Sequence, residues 1–369
     1  MNNLKKHLHY WLIMIIAWQL ASFLFTAIGL SFMNTFLGIL KFQPTELNSG
    51  FYTYSQSNLP LIESGLFGFL FGSFFYVIHW ATENTRIRKM SFGRVILVQS
   101  GSYLLAFVLV FFIVYFSMTQ MDFSPIKNSE EFLRMFGENP AVIISFLAYI
   151  TFVIVLVNFF LEVSKKFGPG NLWNLFIGKY HNPIVENKIF MFLDLKDSTG
   201  YAEKLGHIKY SELIQDCFLD LNEILDDHQA QVYQYVGDEA VLMWDKDQEG
   251  AAKDAIKLYY TFQQLLSDDS EKYKSKFGLV PEFKAGINEG TVTAAEVGSV
   301  KREIAFHGDV LNTAARIQKV CNQYKKNLLS SESFVEFMGD VDEFKKVQIG
   351  YIPLKGKSIP VNIYSIEPV

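Results

Sequence analysis

The 369-residue sequence predicts an N-terminal α-helical transmembrane bundle of four spans, followed by a C-terminal α+β domain. Three observations carry that prediction. Residues 1 to about 166 are dominated by Phe, Leu, Ile and Val, whereas the rest has the charge density of a water-exposed domain. Four apolar segments of the first half reach the roughly 20 residues needed to cross a bilayer. The second half mixes strand and helix patterns without strict β-α-β repetition, which fits a sheet with helices on one face. The expected bounds are 1–166 for the bundle, 167–186 for a juxtamembrane connector and 187–369 for the α+β domain.

The four segments are Trp11–Phe32, Leu61–Trp80, Val95–Met118 and Ala141–Val163. The first lacks a small-residue cleavage site and reads as an anchor. Lys5, Lys6, Arg86, Arg88, Lys89, Arg94, Lys165 and Lys166 flank one side of the bundle. Glu46, Glu63, Asp122, Glu130, Glu131 and Glu138 occupy the connections on the other. The positive-inside rule then puts both termini in the cytoplasm, in a multi-pass protein of the inner (plasma) membrane whose partner is the lipid bilayer. No span carries an acid or base near its middle, which argues against a transporter or proton relay. Gln99, Ser100 and Ser102 read as helix-packing residues. A net charge of −5 with no long basic block excludes a nucleic-acid binder. Cys217 and Cys321 are far apart, form no metal-type pair and read as reduced thiols.

Gly168-Pro169-Gly170 breaks the last membrane helix. An amphipathic stretch follows from Asn171 to Tyr180, and Pro183 ends it. Next, the apolar run of Ile189 to Leu193 stops at an acid, Asp194. Asp197, Ser198 and Thr199, all N-cap types, follow within five residues, so helix-start amides should gather beside that acid. A strand delivering a carboxylate to a helix N-terminus points to a metal and a phosphate. Helical spacing runs from Tyr210 to Leu225. In "AQVYQYVGDEAVLMW" two apolar runs flank Gly237-Asp238, a hairpin signal. A helix over Ala251–Leu266, alternating strands in "FKAGINEGTVTAAEVG", a strand-to-helix passage at His307-Gly308-Asp309 and a strand-turn-strand in "YIPLKGKSIPVNIYSI" complete the domain. If the strands bearing Asp194 and Asp238 are neighbours, both carboxylates leave the same sheet edge. Two hard ligands with open positions suit Mg²⁺ held jointly with substrate phosphates, and a displacement at phosphorus.

"FLDLKDST", "YVGDEAVLMW", "HGDVLNTAARI" and "LKGK", in that order and spacing, resemble the catalytic domain of class III nucleotide cyclases. The resemblance covers about residues 186 to 368, and bacterial members with a membrane anchor match the whole layout. It implies a ferredoxin-like α+β domain, active as a head-to-tail homodimer with shared sites. There the ribose 3′-oxygen of ATP attacks the α-phosphorus, giving 3′,5′-cyclic AMP and pyrophosphate with two Mg²⁺ or Mn²⁺ ions per site. By position, Asp194 and Asp238 match the metal-binding acids and the Leu195 carbonyl the backbone ligand. Ser198 and Thr199 would cradle the phosphates. Asn312 and Arg316 match the pair that orients the ribose and stabilises phosphate charge, and Lys355 the lysine that holds the triphosphate tail. Gln234 and Ala305 stand at the base-reading positions, where the family's adenylate members carry Lys and Asp or Thr, and its guanylate members Glu and Cys. The alternatives are a guanylate or mixed-specificity cyclase using GTP, a diguanylate cyclase (its GG(D/E)EF turn is met by only one Gly here), and a catalytically inactive receptor that uses the domain to dimerise.

Overall fold

The computed structural model describes residues 2–40, 56–83, 90–119, 140–167, 171–300, 302–354 and 359–369. The chain divides into two units, residues 1–166 and 167–369. In the first, α1 (Asn2–Leu40), α2 (Leu59–Glu83), α3 (Phe92–Thr119) and α4 (Pro140–Phe167) are long helices. Three described stretches, Tyr10–Phe32, Leu59–Thr82 and Phe92–Ser117, are long and apolar enough to cross a membrane. The fourth expected span, Ala141–Val163, lies within α4, where several side chains are outside the described set. Among the described residues of α4, the apolar run is the shorter Ile150–Phe159. Aromatic rings fill the centre of this unit, with Phe75 stacked on Tyr103 at 3.9 Å and Trp18 edge-on to Phe71 at 4.5 Å. Gln99 donates to Thr82 Oγ1 at 3.1 Å and Asn158 to Ser100 Oγ at 2.9 Å, so buried polar groups tie α3 to α2 and to α4.

The second unit starts with a short helix, α5 (Asn171–Phe176), and carries strands β1 (Ile184–Leu195), β2 (Gln231–Val236), β3 (Glu239–Asp245), β4 (Phe283–Val297), β5 (Glu303–His307), β6 (Leu328–Ser331), β7 (Phe344–Ile352) and β8 (Val361–Pro368). Its helices are α6 (Ser198–Leu225), α7 (Ala251–Asp268), α8 (Ser270–Phe277), α9 (Asp309–Tyr324) and α10 (Glu332–Met338). The sheet runs β2-β3-β1-β4-β6-β8-β7, with β5 paired to β4. Within it, β4-β1-β3-β2 are antiparallel neighbours joined through α6 and through α7 with α8. That is the ferredoxin-like order, extended here by a parallel β4–β6 pairing.

Strand β1 is central and apolar on both faces because both faces are covered. Ile189, Met191 and Leu193 point into a core with Leu213, Cys217 and Leu221 of α6 and Ile256, Tyr259 and Phe262 of α7. Phe190 and Phe192 point the other way, toward Val292, Phe306, and Val310 and Ala314 of α9. Helices therefore lie on both faces, not on one as the sequence pattern suggested. The reason is Gly286 on β4. A Cβ there would collide with the backbone of Ala314 and Gln318, so the missing side chain is what lets α9 lie directly on the strand. Two other expectations shift. Helix α6 begins at Ser198 and is kinked at Gly206 (φ 71°), which hid its first two turns from the periodicity that starts at Tyr210. The stretch Phe283–Val297 is one fifteen-residue strand rather than several.

Gly286→Val should force α9 off the sheet and destabilise the second unit by about 1–3 kcal/mol. Thermal melting of the full-length protein checks this. An unchanged melting profile would mean that the close approach is not what seats the helix.

Candidate active site

Strand β1 carries Asp194 to its end on the α9 side, and the tight β2–β3 turn holds Asp238 next to it. Register places Asp194 opposite Glu239 on β3 and opposite Lys284 on β4. The two acids thus come together at one sheet edge, with the Leu195 backbone beside them. Asp194 Oδ2 accepts from Gln318 Nε2 at 2.6 Å and pairs with Lys284 Nζ at 3.2 Å. Asp238 Oδ2 is buried with no hydrogen-bond partner. An orphaned buried carboxylate oxygen costs desolvation unless something cationic takes it up, so it fits a metal ligand. Among the described residues no three His, Cys, Asp or Glu side chains form a preformed metal cage. Two carboxylates and open positions are instead what Mg²⁺ or Mn²⁺ shared with phosphates requires.

The electrostatics agree with a site short of positive charge. Burial lifts the Asp194 carboxyl above its usual range, and Asp238 adds to that, against Lys284 and Gln318. Burial, then Asp194, pushes Glu239 up to about 6, with Lys319 opposing. Burial and the nearby Asp238 carboxylate push Tyr210 up to about 12.

Ser198 and Thr199 open α6 as expected, but the cap differs from the sequence reading. Asp197 is the N-cap residue, in a left-handed conformation (φ 52°), and its side chain accepts no capping bond. The first-turn amides thus receive no side-chain hydrogen bond, although the Asp197 carboxylate lies against the turn at Gly200; unbonded helix-start amides favour an anion.

Helix α9 turns both of its predicted residues, Asn312 and Arg316, away from the sheet. Val310, Thr313, Ala314, Ile317, Gln318 and Cys321 are buried against the sheet. Asn312 is exposed and Arg316 half-exposed on the opposite side. Arg316 has no ion-pair partner among the described residues. Within one subunit, then, Gln318 takes the place against Asp194 while Asn312 and Arg316 turn away.

Gln234 is exposed on β2, just after a register shift between Val232 and Gln234. Ala305 lies on β5, paired with Ala295. Their chain neighbours touch: Tyr233 and Phe306 meet edge-on at 5.3 Å, and both pack on Phe190. Gln234 and Ala305 are thus each one residue from a ring of a single aromatic cluster. Lys355 lies outside the described residues.

Glu239, Lys284, Gln318 and Tyr210 escaped the sequence reading. Glu239 is the chain neighbour of Asp238, and Lys284 lies in a strand of alternating pattern. Only the antiparallel register shows that both flank Asp194.

Residues 182–368, more than half of the chain, match the family model described as the adenylate and guanylate cyclase catalytic domain. The chain belongs to the class III nucleotide cyclases. Among its relatives in that family, Adenylate cyclase 2 of Rhizobium meliloti (strain 1021) is 27% identical over 210 residues, covering 57% of this chain and 58% of the relative. The adenylate cyclase of Anabaena cylindrica is 26% identical over 181 residues, 48% of this chain and 36% of its own. Guanylate cyclase D of Mus musculus is 23% identical over 175 residues, 46% and 15%. This cyclase chain spans little more than half the length of the first of these relatives. A solved bacterial light-regulated adenylyl cyclase shares the fold, with a TM-score of 0.51 and 18% identity over 60% of this chain and 65% of that one.

The raised Glu239 pKa has a sign that can be tested. The folded state holds this proton more tightly than the unfolded chain, so stability is lost as pH rises from about 4.5 to about 6. The loss is about 1 kcal/mol once solvent screening of this half-buried group is allowed for. Glu239→Gln, freed of metal with a chelator, should melt higher than wild type at pH 7 and equally at pH 4. No advantage at pH 7 would contradict the crowding of carboxylates at this edge.

Proposed function

We propose that the protein is a membrane-anchored adenylate cyclase, converting ATP to 3′,5′-cyclic AMP and pyrophosphate in sites shared between two subunits. The observation that carries the reading is the meeting of Asp194 with Asp238, whose buried Oδ2 has no partner, at a helix start whose cap side chain accepts no capping bond. The 3′-oxygen forms the new bond to the α-phosphorus while the bond from that phosphorus to the pyrophosphate oxygen breaks. Asp194, Asp238 and the Leu195 carbonyl would hold two Mg²⁺ or Mn²⁺ ions. When bound, these supply charge neutralisation and activation of the attacking oxygen.

The chain's own residues do the rest. Lys284 and Gln318 keep Asp194 oriented as an acceptor. Ser198 and Thr199 receive phosphate oxygens at the start of α6. Arg316, planar and always charged, spreads over the α-phosphate as negative charge builds, and Asn312 orients the ribose. Lys355 would take the triphosphate tail. Because Asn312 and Arg316 face away from their own acids, they serve the partner's nucleotide, and two-fold symmetry gives two equivalent sites.

ATP is proposed over GTP because the relatives named adenylate cyclase are 26–27% identical and those named guanylate cyclase 23%. The preference should be modest. Gln234 both donates and accepts, and the Ala305 side chain does neither. Four spans with both termini cytoplasmic would place the nucleotide domain in the cytosol.

Full-length protein given equal ATP and GTP should make more cyclic AMP than cyclic GMP, by a factor well under the ~10⁴ typical of a fully hydrogen-bonded reader. A cyclic GMP excess would overturn the adenylate assignment. Asp238→Asn should stay folded, melting no lower than wild type without metal, and lose more than about nine-tenths of the rate, since metal assistance is worth several kcal/mol. A folded Asn variant that keeps most of its rate would remove Asp238 from the metal site.

A further inference from the structure

The connector does more than join the two units. Tyr180, four residues past α5, is only 5% exposed and belongs to the cluster of Phe190, Val292, Ala294 and Phe306. Its carbonyl accepts from the Glu296 amide at 2.8 Å, an added rung at the end of β4 where that strand turns into β5. Its hydroxyl donates to Glu186 Oε1 at 3.5 Å, beside a Lys179–Glu186 ion pair of 2.9 Å. Lys188, 8% exposed, continues that pairing from Glu186 at 3.2 Å to Asp245 on β3 at 3.3 Å. Ring packing, a backbone bond and an ion-pair chain thus converge on one residue.

What Tyr180 touches decides what it can do. Glu296 pairs in register with Ile304, and Ala295 with Ala305, so Tyr180 grips the β4–β5 hairpin one residue from the Ala305 rung. Phe306, in the same cluster, meets Tyr233 beside Gln234. Among the described residues, strand β5 pairs with β4 alone. An edge strand of five residues held on one side needs a second support to keep a fixed position. Val310, in the first turn of α9 two residues before Asn312, sits in that same cluster.

We infer that Tyr180 is a positioning residue for the purine: it holds the β4–β5 hairpin so that the Ala305 and Gln234 positions, and the start of α9, frame the base. The inference rests on the nucleotide-cyclase reading above. It puts the purine site under the control of the segment that ties it to the N-terminal unit. Tyr180 touches no reacting atom, so its loss should appear in KM rather than kcat.

The test uses the full-length protein in detergent or nanodiscs. Tyr180→Ala should raise KM for ATP about fivefold or more with kcat within about twofold, because the base site is loosened and the metal site is not. Tyr180→Phe, which keeps the ring, should restore a KM near wild type. Amide exchange should quicken in Thr293–Val297 and Glu303–His307 but stay unchanged in Glu239–Asp245. If the Ala variant is too unstable to assay, Tyr180→Leu keeps apolar volume without the ring and should show the same split. A folded Ala or Leu variant with unchanged KM and unchanged hairpin exchange overturns the inference. So does exchange that quickens equally through Glu239–Asp245, which marks a general structural role. A wild-type protein inactive on both ATP and GTP would overturn the cyclase reading instead, and the exchange pattern would still judge the grip of Tyr180 on the hairpin.

Discussion

The contact of α9 with β4 at Gly286 is the constraint on which the rest depends. With no side chain between strand and helix, the backbone of α9 lies on the sheet, and only one helical face can look inward. That face brings Gln318 to Asp194 at 2.6 Å, alongside Lys284 at 3.2 Å. The opposite face then carries Asn312 and Arg316 away from the acids of their own chain. One missing Cβ thus arranges the acid, its support and the outward display of the residues that a second subunit would use. Had α9 stood a side chain's width further off, Gln318 could not span the gap and Asp194 would keep Lys284 alone.

The second dependence is electrostatic. Asp194, Asp238 and Glu239 crowd one sheet end, and burial raises the pKa of Asp194 and of Glu239. Such crowding is unfavourable in the absence of a cation and becomes favourable when one is shared with phosphate oxygens. The fold accepts some instability at this edge and places a helix start without a side-chain capping bond next to it, so anion and cation would stabilise each other there.

Much of this was legible in the sequence, and the limit has a physical cause. An apolar run ending at Asp194 and a Gly-Asp turn between apolar runs are local signals, because strand ends and hairpins are fixed by neighbours in the chain. The long apolar helices are local for the same reason. The placement of α9 was not legible, because Gly286 reads alone as an ordinary strand glycine; its meaning appears only when the helix 28 residues further on is laid across it. Lys284 and Glu239 became site neighbours through antiparallel register, which a linear pattern does not encode. Strand β6, with four residues, and helix α10, with seven, are too short to show a period. Which of Asp197, Ser198 and Thr199 takes the cap is set by backbone conformation: left-handed Asp197 holds it, with its carboxylate against Gly200 of the first turn but without a capping hydrogen bond. Tyr180 looked like the tail of a linker, and only tertiary packing gives it a role.

The central claim is that each site is built by two chains, one giving Asp194 and Asp238 and the other Asn312 and Arg316. Mixing Asp194→Ala chains with Arg316→Ala chains tests it most directly. Each variant should be inactive alone. A heterodimer holds one doubly damaged site and one intact site, and random pairing makes about half of all dimers hetero, so about a quarter of wild-type activity should return. Confinement to one bilayer should favour the pairing. Full exchange of subunits with no return of activity would contradict the shared site, and the role assigned to Arg316 with it.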